Sequence, residues 1–337
     1  MNYEEFKSII CELIREALPE HLRDSNIEIV QNEKNNGVWL DAVSIQRQDT
    51  QVIPQMYLDG YFQDLRNGRT MESIVDDMVQ IYLSKDRTDF RGFPFDVTDY
   101  NEVKTRLTVQ LINGISNEDF LKDVPCKSLD STDLVAVYRV ELESTEQGTS
   151  SAQVKNSMLE LWGISADTLH QDAINNAMEK EPAKLVKMTA VMSSVMFGLD
   201  VRDIPITDFE MEPGEMYVLS NSNMLRGASA LMYPGLMKTI AENSDTNVFI
   251  LPSSIHETIL LRDTGEMNAE ELKAMVAGIN QSEVSPEEVL SNEVYYFDRK
   301  EQTISMATSR ENTAELMERL KGTEHDYKMD GDEFQER

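Results

Sequence analysis

The chain has 337 residues, 40% of them apolar, with 61 acidic against 31 basic side chains and a formal charge of −30. The apolar share excludes wholesale disorder, and two cysteines, Cys11 and Cys126, exclude a disulfide framework. A surface of that charge disfavours nucleic acid and anionic membranes, and no apolar run approaches the ~20 residues of a membrane span.

Helical spacing of Phe6, Ile9, Ile10, Leu13, Ile14, Ala17 and Leu18 predicts a first helix ending at Pro19, with Glu5, Glu12 and Glu16 outward. The acidic stretch Met1–Lys7 does not read as a secretory signal, so a cytoplasmic setting is expected. Two strands, Asn26–Gln31 and Val38–Gln48, flank the turn Asn35-Asn36-Gly37. An edge strand is expected over Val52–Leu58, where Pro54 interrupts the pattern. Thr70 reads as the N-cap of a helix through Leu83. Tyr100–Asn113 mixes helical spacing with the strand-like alternation of Leu107, Val109 and Leu111. Leu134–Leu142 is the strongest strand by β-branched content. The polar stretch 143–152 reads as a linker between an N-terminal lobe (1–145) and a C-terminal lobe (150–321).

In the second lobe, helices are expected over Ser151–Trp162 and Ser165–Glu179. Met188, Met192 and Met196 then recur every fourth residue, a spacing that suits core filling or an adaptable partner groove, with core filling the expectation. Asn268 with Glu271, and Ser285-Pro286 with Glu288, carry the start signals of two more helices. A last helix is expected over 311–321, closed by Gly322, and residues 322–337, rich in acids, read as a disordered tail. The fold class expected is α+β, mixed α/β, in two lobes.

The candidate site comes from Met216–Leu261. Strand-like Met216–Leu219 ends in Ser220-Asn221-Ser222-Asn223. A helical stretch through Leu225–Met232 and on to Glu242 follows, and the strand Val248–Leu251 ends in Pro252-Ser253-Ser254. Strand, helix and strand over this length suit a crossover unit with parallel strands, whose carboxyl ends share one rim. Asn221, Asn223, Ser253, Ser254, His256 and Glu257 are therefore the candidate binding residues, although Asn and Ser also occur in such places as ordinary turn formers. A hydrolase would take Ser254 or Ser253 as nucleophile with His256 as base. In an extended segment Ser254 and His256 share a face ~6.6 Å apart while Glu257 points away. In a helical turn, Ser253 approaches both His256 and Glu257. No Gly-x-Ser-x-Gly elbow surrounds either serine.

Metal motifs are incomplete. His256-Glu257-Thr258-Ile259-Leu260 has Leu260 where a zinc helix needs its second His. The tail from Asp326 places Lys328 and Arg337 at calcium-ligand positions. No cofactor fingerprint is present in the sequence.

Asp133-Leu134, Ala173–Ala177, Gly227-Ala228, Tyr233-Pro234 and above all Ile250-Leu-Pro-Ser-Ser-Ile-His-Glu257 resemble an uncharacterised family. Its members are cytoplasmic proteins of anaerobic Gram-positive bacteria, often associated with mobile elements. The resemblance implies cytoplasmic location and draws attention to Ser253, Ser254, His256 and Glu257, without an activity. The functional expectation is a non-enzymatic acidic binding or accessory protein acting on a protein partner. The alternative is a small-molecule hydrolase using Ser254 or Ser253 with His256.

Overall fold

A computed structural model describes residues 1–46, 55–86, 95–145 and 148–308. The fold is α+β, and the chain divides into two compact units, Met1–Asp96 and Val97–Arg337.

In the first unit, α1 (Tyr3–Ala17) opens with a reciprocal cap: the Glu5 amide donates to Asn2 Oδ1 and the Asn2 amide to Glu5 Oε2, both at 2.9 Å. Strands β1 (Asn26–Glu33), β2 (Trp39–Gln46) and β3 (Gln55–Tyr57) form an antiparallel sheet in that order. The β1–β2 turn works because Asn36 takes the left-handed conformation, φ 62°, which asparagine tolerates. Helices α2 (Leu58–Arg66) and α3 (Met71–Asp86) follow. Phe6, Ile10 and Ile14 of α1 meet Val43 and Ile45 of β2 and Ile74 and Met78 of α3 in one core. Thr70 accepts from the Ser73 amide at 3.2 Å, as an N-cap should. The expected strand through Leu58 is cut short: Leu58 already opens α2, and residues 52–54 lie outside the described residues.

The second unit holds two antiparallel sheets. Short α4 (Tyr100–Val103) leads into β4 (Leu107–Asn113), so the ambiguous stretch is helix first and strand second. After α5 (Glu118–Leu121) and β5 (Cys126–Ser128), β6 (Leu134–Thr145) and β7 (Gly148–Gln153) complete a sheet of β4, β6 and β5 with β7 paired to β6. This corrects the expected linker. Thr145 pairs with Gly148 and Glu141 with Ser151, so 143–152 is largely the turn end of a hairpin. The Ser/Thr-rich composition that suggested a linker is that of a polar strand pair. The unit boundary falls at Asp96/Val97 instead.

Helices α6 (Asn156–Trp162) and α7 (Ala166–Lys180) follow, the second capped by Ser165, whose Oγ accepts from the Thr168 amide at 3.1 Å. Next come β8 (Ala183–Lys187), α8 (Met188–Phe197), β9 (Met216–Asn221), a 3-10 turn over Gly227–Met232, α9 (Leu236–Asn243), β10 (Val248–Pro252) and β11 (Thr258–Arg262). Helix α10 (Ala269–Glu283), β12 (Tyr295–Asp298) and β13 (Thr303–Met306) end the described chain. The larger sheet has the order β13-β12-β10-β11-β9-β8, every neighbouring pair antiparallel.

Three further expectations change. Strands β9 and β10 run the same way but are not neighbours, because the chain turns back within five residues after Pro252 and β11 fills the place between them. Their carboxyl ends still lie level, since Thr258 pairs with both Pro252 and Leu219. The start signal at Ser285 makes a single turn, with the Val289 amide bonded to Ser285 O at 3.2 Å. Val289 then bridges Ser254, so no helix propagates. The methionine stripe does not fill a core, because Met192 and Met196 are exposed. The helix expected over 311–321 and the tail over 322–337 lie outside the described residues.

The two sheets of this unit are joined through Asp133. Asn113 Nδ2 at 2.6 Å, Ser291 Oγ at 3.0 Å and the Tyr295 hydroxyl all donate to its carboxyl group. Burial pushes the Asp133 carboxyl above its usual range, and these hydrogen bonds only partly oppose the shift.

Candidate functional site

The rim is built where the ends of β9 and β10 meet the loop before β11. Ser220 Oγ donates to His256 O at 2.7 Å, fastening β9 to that loop. Gly227 passes through the same point. A Cβ there would lie 2.0 Å from Ser220 Oγ, 2.5 Å from Asn221 N and 2.7 Å from His256 O, so only glycine permits the approach. The neighbours Met224 and Arg226 both hold φ 54°, a left-handed backbone that side chains of this size rarely adopt. Strain of this kind costs on the order of 1–3 kcal/mol per residue and concentrates at functional sites.

Asn221 is buried and shapes the turn. Its Oδ1 accepts from the Asn223 and Leu225 amides at 3.1 and 3.3 Å, and its Nδ2 donates to Leu225 O at 2.9 Å and to Glu181 Oε2 at 3.3 Å. Asn223 is exposed and donates to Glu181 Oε1 at 3.3 Å. Burial pushes the Glu181 carboxyl above its ordinary range, opposed by the Asn223 hydrogen bond and the Arg226 charge.

Residues 253–257 form a tight turn, not an extended run. The Ser254 amide bonds Glu257 O at 3.3 Å, and the His256 amide donates to Ser254 Oγ at 3.0 Å. Both serine hydroxyls point at Glu257 Oε1, Ser254 at 3.0 Å and Ser253 at 3.4 Å. The turn is not helical either, since its backbone bond runs from the Ser254 amide to Glu257 O. Of the contacts expected of a helical turn, that of Ser253 with Glu257 forms, and Glu257 serves the serines and not the imidazole. His256 Nδ1 accepts the Arg226 amide at 3.1 Å, which assigns the ring proton to Nε2, and Nε2 faces Glu288 Oε1 at 3.4 Å. Both ring nitrogens thus have partners, and neither partner is a serine hydroxyl.

Above the turn lies an open cavity of about 370 Å³. Met224, Leu225 and Val284 form its apolar wall. Ser254 and His256 add polar groups, and its charged groups are the carboxylates of Glu257, Glu283 and Glu288, with no Lys or Arg in the lining. Of the residues expected from sequence, Ser254, His256 and Glu257 line the cavity. Ser253 stands behind Glu257, while Asn221 and Asn223 brace the Glu181 side of the rim. Sequence reasoning missed Glu283, Glu288, Glu181 and Arg226. The signal for Glu288 was present in Ser285-Pro286: the turn it starts places Glu288 O on the Ile255 amide at 2.8 Å and its carboxylate beside His256. Among the described residues, no three His, Cys, Asp or Glu side chains converge as a metal site.

Fold and rim together define an α+β protein with an acidic cleft at the carboxyl ends of two co-directional strands. By family, the chain belongs to DUF5688, a family of unknown function, whose model it matches over residues 3–299. No curated protein and no solved structure matches the chain. Among the described residues no helix is long and apolar enough to cross a membrane.

Proposed function

We propose that this protein is a non-enzymatic acidic binding or accessory protein of the cytoplasm, and that its rim cavity receives a Lys or Arg side chain of a protein partner. The observation that carries the reading is the cavity wall, in which every charged group is a carboxylate and the apolar side chains Met224, Leu225 and Val284 can hold an aliphatic stem. The net charge of −30 would steer a basic partner toward it and away from nucleic acid or an anionic membrane. The hydrolase alternative, Ser254 or Ser253 with His256, needs a serine hydroxyl on the imidazole; here both hydroxyls serve Glu257.

The test is a pull-down with the full chain at low and raised salt, beside titration of a Lys/Arg-rich peptide. Retention that weakens several-fold between about 50 and 300 mM salt, and weakens again in the Glu283→Gln/Glu288→Gln double variant, supports the reading. No retained partner or peptide under either condition overturns it.

A further inference from the structure

Helix α8 is inside out. Between Lys187 and Asp200 the chain carries no charged residue, and Met192, Val195, Met196 and Leu199 recur at three- and four-residue spacing. Such a stripe ordinarily faces a core. Here the buried side chain is Ser194, 7% exposed. Met192 is 63% exposed, Val195 68%, Met196 78%, Phe197 74% and Leu199 63%. The helix end is complete: Gly198 takes the left-handed cap, φ 66°, and the amides of Gly198 and Leu199 return to the carbonyls of Val195 and Ser194 at 3.2 and 2.9 Å.

We infer that this stripe is a dimer interface, α8 of one copy packing on α8 of a second across a two-fold axis. The charge distribution makes this stripe the place where two copies can meet. Acids outnumber bases 61 to 31, so a second copy meets like charge over most of the surface, but residues 188–199 offer a contact with none. The spacing is that of a helix–helix seam, and a two-fold axis brings the same face of both copies together. Area sets the strength. The exposed stripe of Met192, Val195, Met196 and Leu199, at roughly 100 Å² each, gives on the order of 400 Å² per copy and about 800 Å² in the pair, the size of a weak, transient interface. The dimer is therefore weak and reversible.

Sedimentation velocity on the full chain, from about 1 to about 200 µM, tests it. The expected result is a monomer–dimer equilibrium that strengthens as salt rises, because salt screens the repulsion between two copies at −30. The variants Val195→Glu and Met196→Glu should weaken it at least tenfold with an unchanged circular dichroism spectrum. A wild-type chain monomeric throughout that range, or a dimer indifferent to both variants, overturns the inference. So does hydrogen-exchange protection of 188–199 in the monomer, which would show that another segment of the same chain covers the helix. Binding of the wild-type monomer to neutral lipid vesicles through α8 would likewise overturn it.

Discussion

Helices α1 and α8 carry apolar side chains at the same spacing and meet opposite fates. Phe6, Ile10 and Ile14 of α1 are fully buried, while Met192 and Met196 of α8 stand in solvent. The difference lies on the other face of each helix. In α1 the exposed Glu4, Glu5, Glu12 and Glu16 leave only one way to turn it. In α8 no charge opposes the stripe, and the helix lies beside β8 and β9 with Ser194 as its buried side chain. Periodicity identifies a stripe; the polar face decides whether the chain's own core covers it.

The largest effect that sharpens this contrast is truncation. Phe6→Ala should destabilise the first unit by about 3–5 kcal/mol, through lost transfer free energy and the cavity left behind. Met196→Ala should alter the stability of the monomer by no more than about 0.5 kcal/mol. Urea denaturation at low protein concentration, followed by circular dichroism, measures both. A cost of several kcal/mol for Met196→Ala would mean that α8 is covered within the chain and would break the comparison.

Much of the fold was legible because its patterns were local. The stripe of α1, the turn at Asn36, the caps at Thr70 and Asn268, and the strands β6, β9 and β10 each follow from a few neighbouring residues. Sheet order was not local. The place between β9 and β10 is filled by β11, whose sequence follows directly on His256 and Glu257 and was read there as a failed metal motif. The Ser/Thr-rich hairpin of β6 and β7 was misread because composition alone does not separate a polar strand pair from a linker. At the site, the 253–257 turn was visible as a polar run after a strand. Glu283 and Glu288 arrive with α10 and the turn beyond it, and Glu181 and Arg226 converge only through the tertiary fold.

The next effect compares two glycines. Gly227→Ala places a methyl against Asn221 N and His256 O, backbone atoms that cannot give way, and should cost about 3 kcal/mol and distort the rim. Gly198→Ala, at the cap of α8, meets no atom within 4 Å and suffers only its positive φ, a cost of about 1 kcal/mol. Equal costs in denaturation would show that the rim relaxes around the added methyl and that the close approach of β9 to the 253–257 turn is not a constraint.

A smaller effect concerns how α1 is held. Lys7 Nζ lies 2.9 Å from Asp41 Oδ2 on β2, and Gln31 Nε2 donates to Asp41 Oδ1 at 3.1 Å. Burial pushes the Asp41 carboxyl up, but these donors outweigh it and hold it below its ordinary value of 3.8. A lowered folded-state pKa stabilises above the unfolded value, and that stability is lost as pH falls through the folded one. Asp41→Asn should therefore cost about 1–2 kcal/mol at pH 7, with the difference shrinking below about pH 4. A cost that persists undiminished at pH 2 would assign the role of Asp41 to packing and not to charge.

The smallest change in stability belongs to the variant with the most to say about function. Glu283 and Glu288 stand at an open cavity, so replacing both by Gln should shift unfolding by no more than about 0.5 kcal/mol. Their removal acts instead on the response to salt. Capture of a basic partner at the rim is an attraction between opposite charges and weakens as ions screen it, whereas pairing through α8 works against repulsion and strengthens under the same screening. The double variant should flatten the first dependence, by reducing the attraction, and leave the α8 pairing intact. Measuring peptide titration and sedimentation on one preparation across one salt series separates the two surfaces by sign. If partner binding and self-association instead rise or fall together, and the Glu283→Gln/Glu288→Gln and Val195→Glu/Met196→Glu variants shift both, then one surface serves both events and the division between a polar rim and an apolar helix fails.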